Sequence, residues 1–183
     1  IIALHEEPSA LSYLGHPFYW TIGVSVQVIP SSEGGEVTEW SIEPPLPEGV
    51  SLHQIDGSLR GTPISVHPLR EYVITAHNTG GSLSSTILID VRDIPVEGIG
   101  YEPYPFDLRT GDDIGQVMPP WQGGTTDTWE VDPPLPTGFA FDHYTGGLSG
   151  PATLLQPRTH HTAWANNSGA PRSTPLQSRL PIF

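Results

Sequence analysis

Apolar and polar residues alternate with a period of two through several short stretches of this chain. Val50-Ser51-Leu52 and Phe139-Ala140-Phe141 are two such stretches, and the spacings Tyr72, Ile74, Ala76 and Ile87, Ile89, Val91 mark two more. Side chains of an extended strand point alternately to opposite faces, so the pattern predicts strands with one buried face. Turn-forming residues separate them: Leu46-Pro47-Glu48-Gly49, Ile55-Asp56-Gly57, Asn78-Thr79-Gly80-Gly81 and Tyr144-Thr145-Gly146. Glu43-Pro44-Pro45 is expected to be extended, because proline fixes its own φ and keeps the residue before it out of the α region. No helical period occurs, and short strands at this spacing predict an all-β sandwich.

The pattern occurs twice. Trp40-Ser41-Ile42-Glu43-Pro44-Pro45-Leu46-Pro47-Glu48-Gly49 recurs without a gap as Trp129-Glu130-Val131-Asp132-Pro133-Pro134-Leu135-Pro136-Thr137-Gly138, 89 residues later. At the same offset Gly34-Gly35 matches Gly123-Gly124, Gly57, Leu59 and Gly61 match Gly146, Leu148 and Gly150, and Ala76, Asn78 and Gly80 match Ala165, Asn167 and Gly169. Pro17-Phe18 matches Pro105-Phe106 with a one-residue slip. Repetition at this length signals two copies of one folding unit. The expected division is a first repeat over 1–93, a linker over 94–100 carrying Pro95 and two glycines, and a second repeat over 101–183. Trp40 and Trp129, at matching positions, are expected in matching cores.

Composition narrows the classes. Pro 21 and Gly 20 exceed a fifth of the 183 residues, which suits many turns, while five Trp, six Tyr and five Phe supply aromatic mass for a core. The net charge is −13 and the seven basic residues are all Arg. So acidic a surface repels phosphate backbones and anionic lipid, which argues against nucleic-acid and membrane-surface partners. There is no cysteine, so the cores must hold without disulfides. No apolar run approaches the ~18 residues that span a bilayer, and Ile1-Ile2-Ala3-Leu4-His5 lacks the basic flank of a signal peptide.

The turn pattern resembles a known family. A P-x-L-P-x-G segment, an alternating strand, a T-G turn, L-x-G-T-P, then Y-x-V/I-x-A-x-N-x-G-G is similar to the He_PIG family of immunoglobulin-like repeats and to the related dystroglycan-type cadherin-like domains. Pro45 to Gly49, Gly57 to Pro63 and Tyr72 to Gly81 carry it in the first copy; Pro134 to Gly138, Thr145 to Gly150 and Ala165 to Gly169 carry it in the second. The second copy departs at Gly150-Pro151-Ala152, opposite Gly61-Thr62-Pro63, and at His160-His161-Thr162, where the tyrosine-bearing strand begins. The resemblance implies two tandem immunoglobulin-like, cadherin-like β-sandwich domains of the kind arrayed on large, mostly microbial, extracellular proteins. It brings no catalytic residues.

Candidate chemistry is sparse. The adjacent His160 and His161 would point to opposite faces of a strand and cannot chelate together, and with no Cys and no H-x-x-x-H pair zinc is not expected. Calcium is the metal worth weighing: Asp90, Asp93 and Glu97 stand near the junction and Asp112-Asp113 lie in the second repeat, although no EF-hand-like spacing occurs. Gly147-Leu148-Ser149-Gly150 lacks the spacing of a nucleophile elbow, there is no phosphate-binding loop, and neighbouring carboxylates such as Glu6-Glu7 do not make a glycosidase pair. No catalytic, cofactor or metal residue is therefore assigned, and no enzyme is expected. Trp20 and Trp121 have no repeat partner and would suit sugar stacking if exposed. Asn166-Asn167-Ser168 fits a glycosylation acceptor.

The expectation is a non-catalytic structural or adhesion repeat pair from a larger extracellular or cell-surface protein, with other surface proteins or glycans as partners. The alternative is a carbohydrate-binding or accessory module. Residues 171–183 break the repeat: prolines at 171 and 175 and the lack of alternation make a poor final strand, pairing only partly through Leu176 to Leu180 or leaving an edge open to self-association.

Overall fold

The computed structural model describes residues 6–102, 106–155, 157, 159–169 and 176–182, the last seven as backbone only. The chain divides into two compact units, 1–92 and 93–183. All regular structure among the described residues is β.

Among the described residues the first unit holds nine strands: β1 (Pro8–Ser12), β2 (Phe18–Thr21), β3 (Val26–Val28), β4 (Ser31–Gly34), β5 (Glu39–Glu43), β6 (Val50–Leu52), β7 (Leu59–Gly61), β8 (His67–Asn78) and β9 (Gly81–Arg92). One sheet runs β2-β9-β8-β5, with β2 parallel to β9. The other runs β3-β7-β6, and β1 pairs with β4 just beyond the Ile29-Pro30 break that separates β4 from β3. The alternation read from the sequence is the reason for the packing. Tyr72, Ile74, Ala76, Ile87, Ile89 and Val91 turn inward from β8 and β9 and meet Leu59, Val50 and Leu52 from the facing sheet, around Trp40. Burying aliphatic and aromatic side chains of this size stabilises by roughly 1.5–3 kcal/mol each.

The second unit holds β10 (Val96–Glu97), β11 (Asp113–Val117), β12 (Gln122–Gly123), β13 (Thr128–Asp132), β14 (Ala140–Phe141), β15 (Leu148–Pro151), β16 (Thr159–Asn166) and β17 (Leu176–Ile182). Its sheets, β13-β16-β17 and β11-β15-β14, together with the β10-β12 pair, repeat the order β5-β8-β9, β3-β7-β6 and β1-β4 of the first unit; among the described residues no strand stands in the place of β2. Trp129, Leu148, Ala163 and Ala165 take the core places of Trp40, Leu59, Ile74 and Ala76. Strand order and facing sheets make each unit an immunoglobulin-like β-sandwich, and the burial of Trp40 (4% exposed) and Trp129 (0%) matches the expectation from the repeat.

One expectation is corrected. Residues 94–100 are not a free linker: Val96 and Glu97 form β10, paired with Gly123 and Gln122 as Pro8 pairs with Gly34 in β1. The second unit accordingly begins at Asp93. The C-terminal stretch pairs through Leu176 to Leu180 as expected and extends two residues further, so that Leu176–Ile182 forms a seven-residue strand at the end of its sheet against Thr159–Ala165, where β9 runs twelve residues. Register explains why the repeat breaks there. Tyr72 pairs with Ile87, fifteen positions on, whereas its counterpart His161 pairs with Leu180, nineteen positions on. Four extra residues in the connection reset the final strand, so the fixed offset compared the wrong residues. Residues 171–175, with both prolines, lie outside the described residues.

Candidate functional site

The most elaborate polar geometry in each unit lies at the turn before β7 or β15. Tyr13 donates its hydroxyl to the Gly57 carbonyl at 2.6 Å, and Tyr101 donates to the Gly146 carbonyl at 2.7 Å. Both glycines have positive φ, +67° and +69°, and a methyl group on either would come within 2.6 Å of the Trp40 or Trp129 ring. Only glycine satisfies the backbone angle and the close approach together. The core tryptophan thus packs flat against a turn that a buried tyrosine pins from the first strand's end. Burial raises the Tyr13 and Tyr101 phenols well above their ordinary value; at Tyr13 the Asp56 charge adds to this.

Asp56 is the hub of the first turn. Its Oδ1 accepts the Ser58 hydroxyl at 2.6 Å, the Ser58 N–H at 3.0 Å and a bond with His53 Nδ1 at 2.9 Å, while Oδ2 pairs with Arg60. The Ser58 bonds, then the Arg60 and His53 charges, lower this carboxyl to about 2. A serine, a histidine and a carboxylate meet here in the wrong order for nucleophilic catalysis. The carboxylate stands between the other two, whereas activation of a hydroxyl needs the imidazole in the middle. In the second unit Asp142 accepts the Tyr144 and Thr145 N–H groups at 2.8 and 3.2 Å, and the Tyr144 bond first, then the Thr145 side chain, hold its carboxyl below the usual range.

A second recurring device is an asparagine clamp. Asn78 donates through Nδ2 to the carbonyls of Glu6 (2.7 Å) and Glu36 (3.1 Å), and its Oδ1 accepts the N–H groups of Gly80 and Gly81. Asn167 donates to Ile94 and Thr125, both at 2.9 Å, and accepts from Gly169.

The other sequence candidates are scattered. Trp20 is 7% exposed and stacks on Phe18, which removes it as a sugar platform. Trp121 is 41% exposed and lies edge-on to Trp129 at 5.9 Å. His160 is exposed, whereas His161 is buried in the place of Tyr72, its Nδ1 2.7 Å from the Pro133 carbonyl. Asp90 bonds Arg92 at 2.7 Å, and that guanidinium lies over the Tyr19 ring. Asp93 accepts from Ser168, Asp112 from the Arg109 N–H and Asp113 from the Gly115 N–H, while Glu97 is exposed. Among the described residues no three His, Cys, Asp or Glu side chains lie together as metal ligands. Asn166 is half-buried and reaches Glu130 Oε1 at 3.2 Å. Ser149 is half-buried on β15.

The class defined by this architecture is the immunoglobulin-like β-sandwich, present twice in tandem. No family model matches the chain, and no curated protein does. Among solved structures, it is similar to Drosophila OTK extracellular domains 3–5 (16% identity, TM-score 0.39, 97% of this chain and 58% of that one). It is also similar to the titin domains z1z2 solved with telethonin (15%, 0.45, 98% and 96%) and to the N-terminal four Ig domains of Dscam1 isoform 9.44 (13%, 0.49, 95% and 45%). The chain therefore spans about half the length of two of these three.

Proposed function

We propose that this chain is a pair of non-catalytic structural or adhesion repeats from a larger extracellular or cell-surface protein. One observation carries the reading: the elaborate polar geometry is spent on the fold, and it is spent the same way twice. The tyrosine hydroxyls, the core tryptophans and the clamp asparagines recur at 88- or 89-residue spacing with matching partners. Gly57, Gly146, Asn78 and Asn167, which these bonds join, lie within the segments that resemble He_PIG repeats. Absence of cysteine and a net charge of −13 suit a solvated array outside the cell.

Trp121 favours a second reading. A large aromatic left 41% exposed on a β-sandwich can stack on a sugar ring, which would make the second unit a carbohydrate-binding module. A glycan array distinguishes the two. The structural reading expects no binding above background; binding that is lost in Trp121→Ala would replace it with the second.

A further inference from the structure

The clamp asparagines stand where the chain arrives in each unit, and the geometry points to a load-bearing role: Asn78 and Asn167 hold the incoming segment against tension along the chain, which the first unit meets in shear. This inference rests on the structural-repeat reading above. Three observations carry it.

The first is what the clamps hold. Asn78 grips the Glu6 carbonyl, two residues before β1, and Gly35 donates its N–H to the Glu7 carbonyl at 3.2 Å. Asn167 grips the Ile94 carbonyl, two residues before β10, and Gly124 donates to the Pro95 carbonyl at 3.3 Å. A Cβ on Gly35 or Gly124 would collide with the Glu6 or Ile94 carbonyl oxygen, which accounts for the recurring Gly-Gly pairs. The incoming segment is pressed against the unit and bonded on both sides before its first strand begins.

The second is where tension leaves. Asn78 opens the tight hairpin that pairs it with Gly81, and β9 then runs twelve residues to Arg92. At about 3.3 Å per residue that strand is roughly 36 Å long. The clamp and the outgoing residue therefore sit at opposite ends of one strand, so a pull on the chain acts along the strand axis. At the outgoing end β2 runs parallel to β9 from Phe18↔Ile89 to Thr21↔Arg92, and the Ile22 N–H reaches the Arg92 carbonyl at 2.9 Å. Bonds between strands pulled along their length are loaded together, whereas a strand peeled from its end loses them one at a time.

The third is connectivity. Arg92 ends β9, and the next residue, Asp93, already belongs to the second unit, where its N–H reaches Ser168 Oγ at 3.1 Å and Asn167 takes Ile94. No slack residue separates the last strand of one unit from the first bond of the next, so tension passes directly between them.

Single-molecule force spectroscopy of the full chain between handles at its two ends tests this. Two unfolding events are expected, with Asn78→Ala lowering the force of one and Asn167→Ala that of the other. Since the chain has no cysteine, a Ser12→Cys handle can bypass the Glu6 tie; pulled from there, Asn78→Ala should leave the force unchanged. Ile74→Val, in the core, serves as the stability control and should lower the urea midpoint at least as much while costing less force. If Asn78→Ala lowers the force equally from both attachment points, or only in proportion to its loss of urea stability, the load-bearing role is overturned. That outcome leaves the structural-repeat reading intact, which fails instead on glycan binding lost in Trp121→Ala.

Discussion

Tyr13 and Tyr101 each give a buried hydroxyl to the turn on which a core tryptophan rests. Removing that hydroxyl strands a carbonyl, so Tyr13→Phe and Tyr101→Phe should each cost about 1–3 kcal/mol in urea denaturation. Truncating Trp40 or Trp129 to Ala should cost more, about 3–5 kcal/mol. The phenols also set an alkaline limit. Their folded-state pKa values are raised above the ordinary 10.0. Their contribution is whole below pH 10 and declines as pH rises beyond it, because the unfolded chain releases those protons first. Asp56 works in the opposite sense. Its carboxyl is lowered from 3.8 to about 2, so its contribution is present above pH 4 and is lost as pH falls towards 2. Acid titration of stability should lose part of that slope in Asp56→Asn, by an amount kept small by solvent exposure.

The tryptophans were legible because an ungapped repeat marks them twice. The tyrosines were not: they lie where the offset slips to 88, and their neighbours Leu14 and Glu102 do not match. Trp20 was misleading for a related reason. Its counterpart is Leu108, so nothing in the repeat marks it as core, yet it lies on β2 against Phe18.

Among the elements, β8 and β9 form the long central hairpin of the first unit, buried through Tyr72, Ile74, Ile87 and Ile89. Hydrogen exchange should find the Ile74, Ile87 and Ile89 amides the slowest of the unit, with β1 and β4 opening more readily. Equal protection at β1 would contradict that ranking. Strand alternation was readable for these long elements and for the two short strands β6 and β14. It failed for β10, where only Val96 and Glu97 pair and the surrounding Pro95, Gly98 and Gly100 resemble a linker. It failed again for β17, because a longer connection moved the strand four residues out of step with its counterpart. A fixed offset detects a repeated unit but not an insertion inside a hairpin.

For the molecule as a whole, the two separate cores mean that folding need not cross the junction at Asp93. Asp90 is bonded to Arg92 within the first unit, and Asp93, Asp112 and Asp113 are bonded within the second, so millimolar Ca²⁺ should shift the melting temperature little; a rise of many degrees, reversed by chelator, would contradict that expectation. The central claim is that each half is a complete sandwich built on the same lock. It is tested most directly by urea denaturation of 1–92 and 93–183 expressed separately, each with and without its Tyr→Phe substitution. The account predicts that both halves unfold cooperatively and that Tyr13→Phe and Tyr101→Phe lower the two midpoints by similar amounts. A half that has no cooperative transition alone, or a substitution that matters in one unit and is silent in the other, would contradict it.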